Sequence, residues 1–199
     1  MKVILASASA ARTRLLSEAR IDHTVEISGV DEESSQFNSL APKDMVIELS
    51  KAKAEVVAKK YQGQARLVIG ADSTLEFEGR SMAKPESEEV AIRWWQNYVG
   101  KSGLLHTGQT VIDAANLKSR SALSTTEITF ADISEEEIRS YISTHEPLFL
   151  AGGASLDGIG SPYISRIAGD ASGVLGLSMN HLRVLCEELG YPWHTLRAS

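Results

Sequence analysis

Residues 67–71 read Leu-Val-Ile-Gly-Ala and run directly into Asp72. A short apolar run of this kind, ended by a polar residue, is the pattern of a buried strand. It delivers an acidic side chain to the edge of a sheet, so the rest of the chain must supply the layers that cover it. Alternation supplies them. Residues 3–6 form another apolar strand, and 10–19 follow as a helix with Leu15, Leu16 and Ala19 facing inward and Ser9 as its cap. Residues 24–27 alternate as a strand and lead into an acidic, serine-rich loop over 29–39. Pro42 suits the first turn of a helix that reaches about Lys60, with Val46, Leu49, Val56 and Val57 at a roughly helical period.

The second half repeats the alternation with more strand. Ser87 caps a helix over 88–99 that carries two glutamates in its first turn. Residues 104–113 and 122–130 read as two strands in a hairpin around the polar segment 114–120. Ser134 and Glu137 form a capping box for a helix reaching Ser143. A glycine-rich stretch over 151–173 is too apolar in parts to be a linker. Ser178 opens the last helix, and 193–196 reads as a final strand. With no internal repeat and no dividing linker, the expectation is one domain over 1–199. Its class is α/β, a mixed twisted sheet with flanking helices and two lobes around a central cleft. One lobe would come from the two ends of the chain and the other from the middle.

Composition removes several functions. The net charge of -6 and pI of about 5.4 speak against a nucleic-acid partner, which calls for a basic face. A small anionic ligand needs only a few basic groups converging in one cleft. The lone Cys186 cannot form an intramolecular disulfide and falls in a helical run as a small buried hydrophobe. The five histidines include no HExxH pair, and no Cys/His metal cluster occurs. No stretch approaches membrane-span length, and the start lacks the long apolar region of a secretory signal, so a cytoplasmic setting without membrane contact is expected. Trp94 and Trp95 point about 100° apart on a helix. Core packing is expected for them, with a lobe junction or subunit interface as the alternative for one.

Four features carry chemistry. Ser7, Ser9, Arg12 and Arg14 surround the start of the first helix, where free N–H groups and the helix dipole suit a phosphate. Asp72, followed by Ser73 and Thr74, is a carboxylate at a strand end that suits a general base or a metal ligand. Lys84 precedes Pro85, and Lys53 sits in a helix with Lys51, Lys59 and Lys60. Each has an ordinary alternative: a cap, a turn, a surface charge, a solvated helix face.

Taken together and in order, these features resemble the Maf proteins, nucleotide pyrophosphatases once described as septum-formation inhibitors. The motifs are LASASAARTRLL at the start, VDEE at 30–33, LSKAKA at 49–54, GADS at 70–73, AKP at 83–85 and HTG at 106–108. ITFADISEEEIRSYI at 128–142, AGGASLDGIG at 151–160 and GDASGVLGLS at 169–178 extend the match over nearly the whole chain. The resemblance implies cleavage of a nucleoside triphosphate to its monophosphate and pyrophosphate. Asp72 would be the catalytic acid that activates water, with Lys53 and Lys84 offsetting charge. Ser7, Ser9 and Arg12 would bind phosphate, and Glu32 would line the same cleft. Mg²⁺, or Mn²⁺ in its place, would be held by Glu32 and Asp72 with several waters. A homodimer is also implied. The chain departs from the family pattern at Ala11, where an arginine is usual, at Ser73 for threonine, and at Asp157 for a frequent glutamine. These three places are linked with choice of base. A pyrophosphatase for deaminated purine nucleotides is the rival enzyme, and a silent nucleotide-binding regulator of cell division the rival of another class.

Overall fold

A seven-stranded mixed sheet forms the spine of the computed structural model, which describes residues 1–198. In chain order, β1 (Lys2–Leu5) leads to α1 (Ala10–Glu18), β2 (His23–Val25), a short α2 (Ser35–Asn38) and the long α3 (Pro42–Lys60). β3 (Arg66–Phe77), β4 (Arg80–Met82), α4 (Glu88–Tyr98), β5 (Ser102–Asp113) and β6 (Lys118–Phe130) follow. After α5 (Glu135–Ile142) come three 3-10 segments, then β7 (Ile164–Ala168), α6 (Ala171–Val174), α7 (Met179–Glu188) and a 3-10 turn over Trp193–Thr195. The sheet order is β2-β1-β3-β5-β6-β7, with β4 also paired to β3. β1 is parallel to both neighbours, while β3, β5, β6 and β7 run antiparallel in succession.

Side chains alternate across a strand, so each stretch of sheet has two faces to cover. At one end, α1 and α7 pack Leu15, Leu16, Leu182, Leu185 and Cys186 against Val3, Leu5, Leu67, Ile69 and Ala71. On the opposite face, α3 sets Ala54, Val57 and Ala58 against Ile4, Val68 and Ile112. At the other end, Leu75, Phe77, Ile128 and Phe130 receive Trp95 and Tyr98 of α4 with Ile138 and Tyr141 of α5. Three clusters thus cover one continuous sheet: helices from the two ends of the chain close the first, α3 the second, and α4 with α5 the third. Trp95 lies fully inside the third, with Trp94 packed at its margin.

α3 lies unusually close to the sheet, and two glycines allow it. A Cβ on Gly70 would stand 2.2 Å from the Ser50 carbonyl oxygen, and one on Gly108 2.3 Å from that of Val46. The caps at Ser9, Ser87, Ser134 and Ser178 all accept from the first turn of their helices, Glu137 completes the capping box, and Pro42 is the first residue of α3. Val56 is a correction: it is 38% exposed, on the solvent side of α3. Residues 193–196 are another, being a 3-10 turn rather than a strand. The chain there is tied back by a bridge from Arg197 to Ile21, by the Ala198 N–H donating to the Arg20 carbonyl, and by Leu196 in the core beside α1. β4 and β7, of three and five residues, have no counterpart in the expected elements. Among the described residues no helix is long and apolar enough to cross a membrane.

Candidate active site

Asp72 lies inside a twelve-residue strand rather than at its end. β3 continues past the acid because β5 keeps pairing with it, Asp72 opposite Gly108 and on to Glu76 opposite Leu104. The strand that ends here is β1, whose last pair with β3 is Leu5 with Ile69. Beyond it the chain turns through Ser7 and Ser9 into α1. Asp72 therefore stands past the carboxyl end of β1, the place where open α/β sheets accept ligands.

The buried stripe of α3 runs through Val46, Leu49, Ser50, Lys53, Ala54, Val57 and Ala58, and Lys53 is the one cation in it. Its side chain is only 7% exposed, so its ammonium requires partners. Two carboxylates provide them: Nζ donates to Asp72 Oδ1 at 2.7 Å and lies 2.9 Å from Glu32 Oε1. Burial nevertheless wins at Asp72. Loss of water raises its carboxyl above the ordinary aspartate range, outweighing the attraction of Lys53 and Arg12. Its second oxygen makes no hydrogen bond among the described residues.

Arg12 is buried and anchored at every nitrogen. Nε donates to the Gly176 carbonyl at 2.8 Å, Nη1 to Ser7 Oγ and the Ala71 carbonyl at 2.9 Å each, and Nη2 to Ser73 Oγ at 3.1 Å. These four bonds leave a guanidinium one free N–H. Burial lowers its pKa, opposed by the charges of Asp72 and Glu32. Ser9 caps α1 by accepting from the Arg12 N–H. Ser7, Arg12, Glu32, Lys53, Asp72 and Ser73 thus form one connected cluster.

The remaining expected residues sit apart from it. Lys84 is exposed and has no hydrogen-bond or ion-pair partner among the described residues. It follows β4, where Thr74 bonds Ser81 and Met82, two positions along the Asp72 face of β3. Gly152 donates to the neighbouring Ala83 carbonyl, tying this strap to the glycine-rich stretch. Ala11 is half-buried at the start of α1, and one turn later Arg14 forms an ion pair with Asp157. That pair joins α1 to the glycine-rich stretch 143 residues away. Partial burial of Asp157 is outweighed by the Ser155 hydroxyl and by Arg14, which hold its carboxyl below the usual range. Arg14, which shares the phosphate-suited start of α1 in the sequence, has a protein carboxylate as its partner. Thr107, whose hydroxyl bonds both Ser73 and the Gly173 carbonyl, was not singled out by its own chemistry. Its only signal was its place in the HTG motif.

The two carboxylates share one ammonium, and no group of three or more His, Cys, Asp or Glu residues is arranged to hold a metal among the described residues. Such a donor set fits Mg²⁺, which keeps most of its waters and takes one or two carboxylates plus substrate phosphates.

The comparisons with known proteins agree over almost the full length. A nucleoside triphosphate pyrophosphatase of Salinispora tropica is 40% identical over 195 residues, covering 96% of this chain and 85% of that protein. One of Prochlorococcus marinus is 43% identical over 181 residues, covering 91% and 95%. Among solved structures, a nucleoside-triphosphatase described as a dITP/XTP pyrophosphatase of Mycobacterium abscessus aligns over 94% of this chain and 95% of its own. Its TM-score is 0.43 at 11% identity, a distant likeness. Residues 2–189 match the family described as Maf-like protein, and the chain belongs to that family.

Proposed function

We propose that the chain hydrolyses the bond between the α- and β-phosphates of a nucleoside triphosphate, releasing the monophosphate and pyrophosphate. The observation that carries this is a buried carboxylate, Asp72, held on one oxygen by Lys53 with the other free, beside the start of α1. The free oxygen takes a proton from water as it attacks the α-phosphorus, and pyrophosphate leaves. Ser7, Ser9 and the first N–H groups of α1 bind phosphate oxygens. Lys53, Lys84 and the charge of Arg12 offset the growing charge. Glu32 and Asp72 would hold Mg²⁺, or Mn²⁺ in its place, which draws charge from the phosphate oxygens when bound. A panel of nucleotides with Mg²⁺, separated by chromatography, tests the reading. Monophosphate and pyrophosphate are expected, and diphosphate with orthophosphate as first products would refute it.

The pH profile supplies a second expectation. The base works ionised, and burial raises its carboxyl. The acid limb of kcat/KM should therefore fall at a higher pH than an ordinary aspartate would give. A limb within the ordinary range would mean that another group accepts the proton.

Base choice is assigned to Ser73, Asp157 and the space beside Ala11. An ionised carboxylate is acceptor-only, so Asp157 favours rings presenting N–H groups, such as guanine, uracil or thymine, and Arg14 steadies it. Asp157→Ala should flatten the ranking of kcat/KM among nucleotides more than it lowers the best value. An unchanged ranking would leave Asp157 as a turn residue tethering Arg14.

A further inference from the structure

The two serines bound by Arg12 offer a ligand opposite things, because a hydroxyl has one proton and two lone pairs. Thr107 Oγ1 lies 2.7 Å from the Gly173 carbonyl, which can only accept, so the Thr107 proton is committed there. The 2.8 Å bond between Ser73 Oγ and Thr107 Oγ1 must then be donated by Ser73. Arg12 Nη2 donates to the same Ser73 oxygen. Ser73 has spent its proton and one lone pair, and one lone pair remains. Ser7 is the reverse. Its oxygen accepts from the Ser9 N–H at 3.3 Å and from Arg12 Nη1 at 2.9 Å, which leaves its proton unused.

We infer that Arg12 is a positioning residue which, with the relay Arg12 to Ser73 to Thr107 to Gly173, sets the two serines at opposite polarity. Ser7 is a donor for phosphate oxygens. Ser73 is an acceptor that selects nucleotides presenting an N–H or O–H towards it, and Thr107 determines specificity by taking the Ser73 proton. The inference rests on the proposed nucleotide site and deepens it. It makes the backbone carbonyl of Gly173, from the far end of the chain, the terminus that orients the whole relay. The relay is buried on either side of the half-buried Ser73: Thr107 and Arg12 are 0% and 8% exposed. Water therefore has little access to scramble the direction of its protons.

Thr107→Val keeps the shape and removes the acceptor, so the Ser73 proton is released towards the cleft. Thr107→Ser keeps the hydroxyl. Calorimetric Kd values for α,β-methylene triphosphates of the four common bases read recognition without turnover. In Thr107→Val the ratio of Kd values between the best and worst base should move by about tenfold, the scale of one hydrogen bond. Thr107→Ser should return it to within about twofold of the parent. In the Ser73→Ala background, Thr107→Val should move the ratio no further, since the proton it releases is gone. A uniform loss for all four bases, or the same shift with and without Ser73, would overturn the inference and leave Thr107 a packing residue. If Thr107→Val does not fold, Thr107→Ser with Ser73→Ala still decides. A ratio that Ser73→Ala leaves at the parent value sinks the proposed acceptor. Absence of turnover by the parent on every triphosphate would refute the proposed function instead, whatever the Kd values show.

Discussion

Asp72→Asn should abolish turnover and leave the protein at least as stable as its parent. An amide cannot take a proton from water near neutral pH, and general-base contributions of about 10²–10⁴-fold set the expected loss. The stability half follows from the raised carboxyl. In the folded chain burial favours the neutral form of Asp72 over the ionised one. A group with a raised folded pKa stabilises below its unfolded pKa, and that contribution is lost as pH rises through the folded value. Wherever the folded chain holds Asp72 ionised, it does so at a cost to the fold. The amide removes that cost, and its oxygen can still accept from Lys53, which also keeps Glu32. Urea midpoints at pH 7 and kcat on the best nucleotide check the two halves separately. Near-parental kcat would remove Asp72 from the chemistry, and a clearly lower midpoint would mean that the Lys53 pair, not burial, dominates there.

Gly108→Ala should damage both quantities. Its Cβ would meet the carbonyl oxygen and carbon of Val46 and the nitrogen of Ile47, at 2.3, 2.4 and 2.6 Å. All three are backbone, so no side chain can swing aside and α3 itself must retreat. Overpacking typically costs about 1–3 kcal/mol, and a backbone clash on two neighbouring residues belongs at or above the top of that range. The retreat also carries Lys53 away from Asp72, because the same helix holds both contacts. A urea midpoint and kcat/KM should fall together, in contrast to Asp72→Asn. An unchanged midpoint would show that α3 slides freely on the sheet.

Local chemistry was the legible part of this molecule. Four serine caps and the capping box depend on residues within one turn, so the sequence around each sufficed. Asp72 was legible because an apolar run ended in it, although the length of β3 was not, since its second half is defined by pairing with β5. β4 and β7 are short and largely exposed, so partner strands rather than periodicity make them. Trp193 and Thr195 look like strand residues but have no ladder to join. The site contacts that escaped notice are the long-range ones. Arg14 and Asp157 are 143 positions apart, and Thr107 and Gly173 66 apart. No window along the chain contains both members of either pair.

The anchoring of Arg12 on Gly176 has a consequence during synthesis. The two residues are 164 positions apart, and the guanidinium is almost wholly enclosed once the bond forms. Translation at about 5–20 residues per second puts roughly 8–33 s between the appearance of the cation and of its acceptor. Within that interval the guanidinium can bond Ser7, Ser73 and the Ala71 carbonyl, while its Nε lacks the acceptor it has in the finished fold. Closure of the late segment over the first helix therefore becomes a late event of biogenesis, although β1 can pair with β2 and β3 well before it. Premature termination anywhere before the last helices would strand an open, inactive product suited to proteolysis.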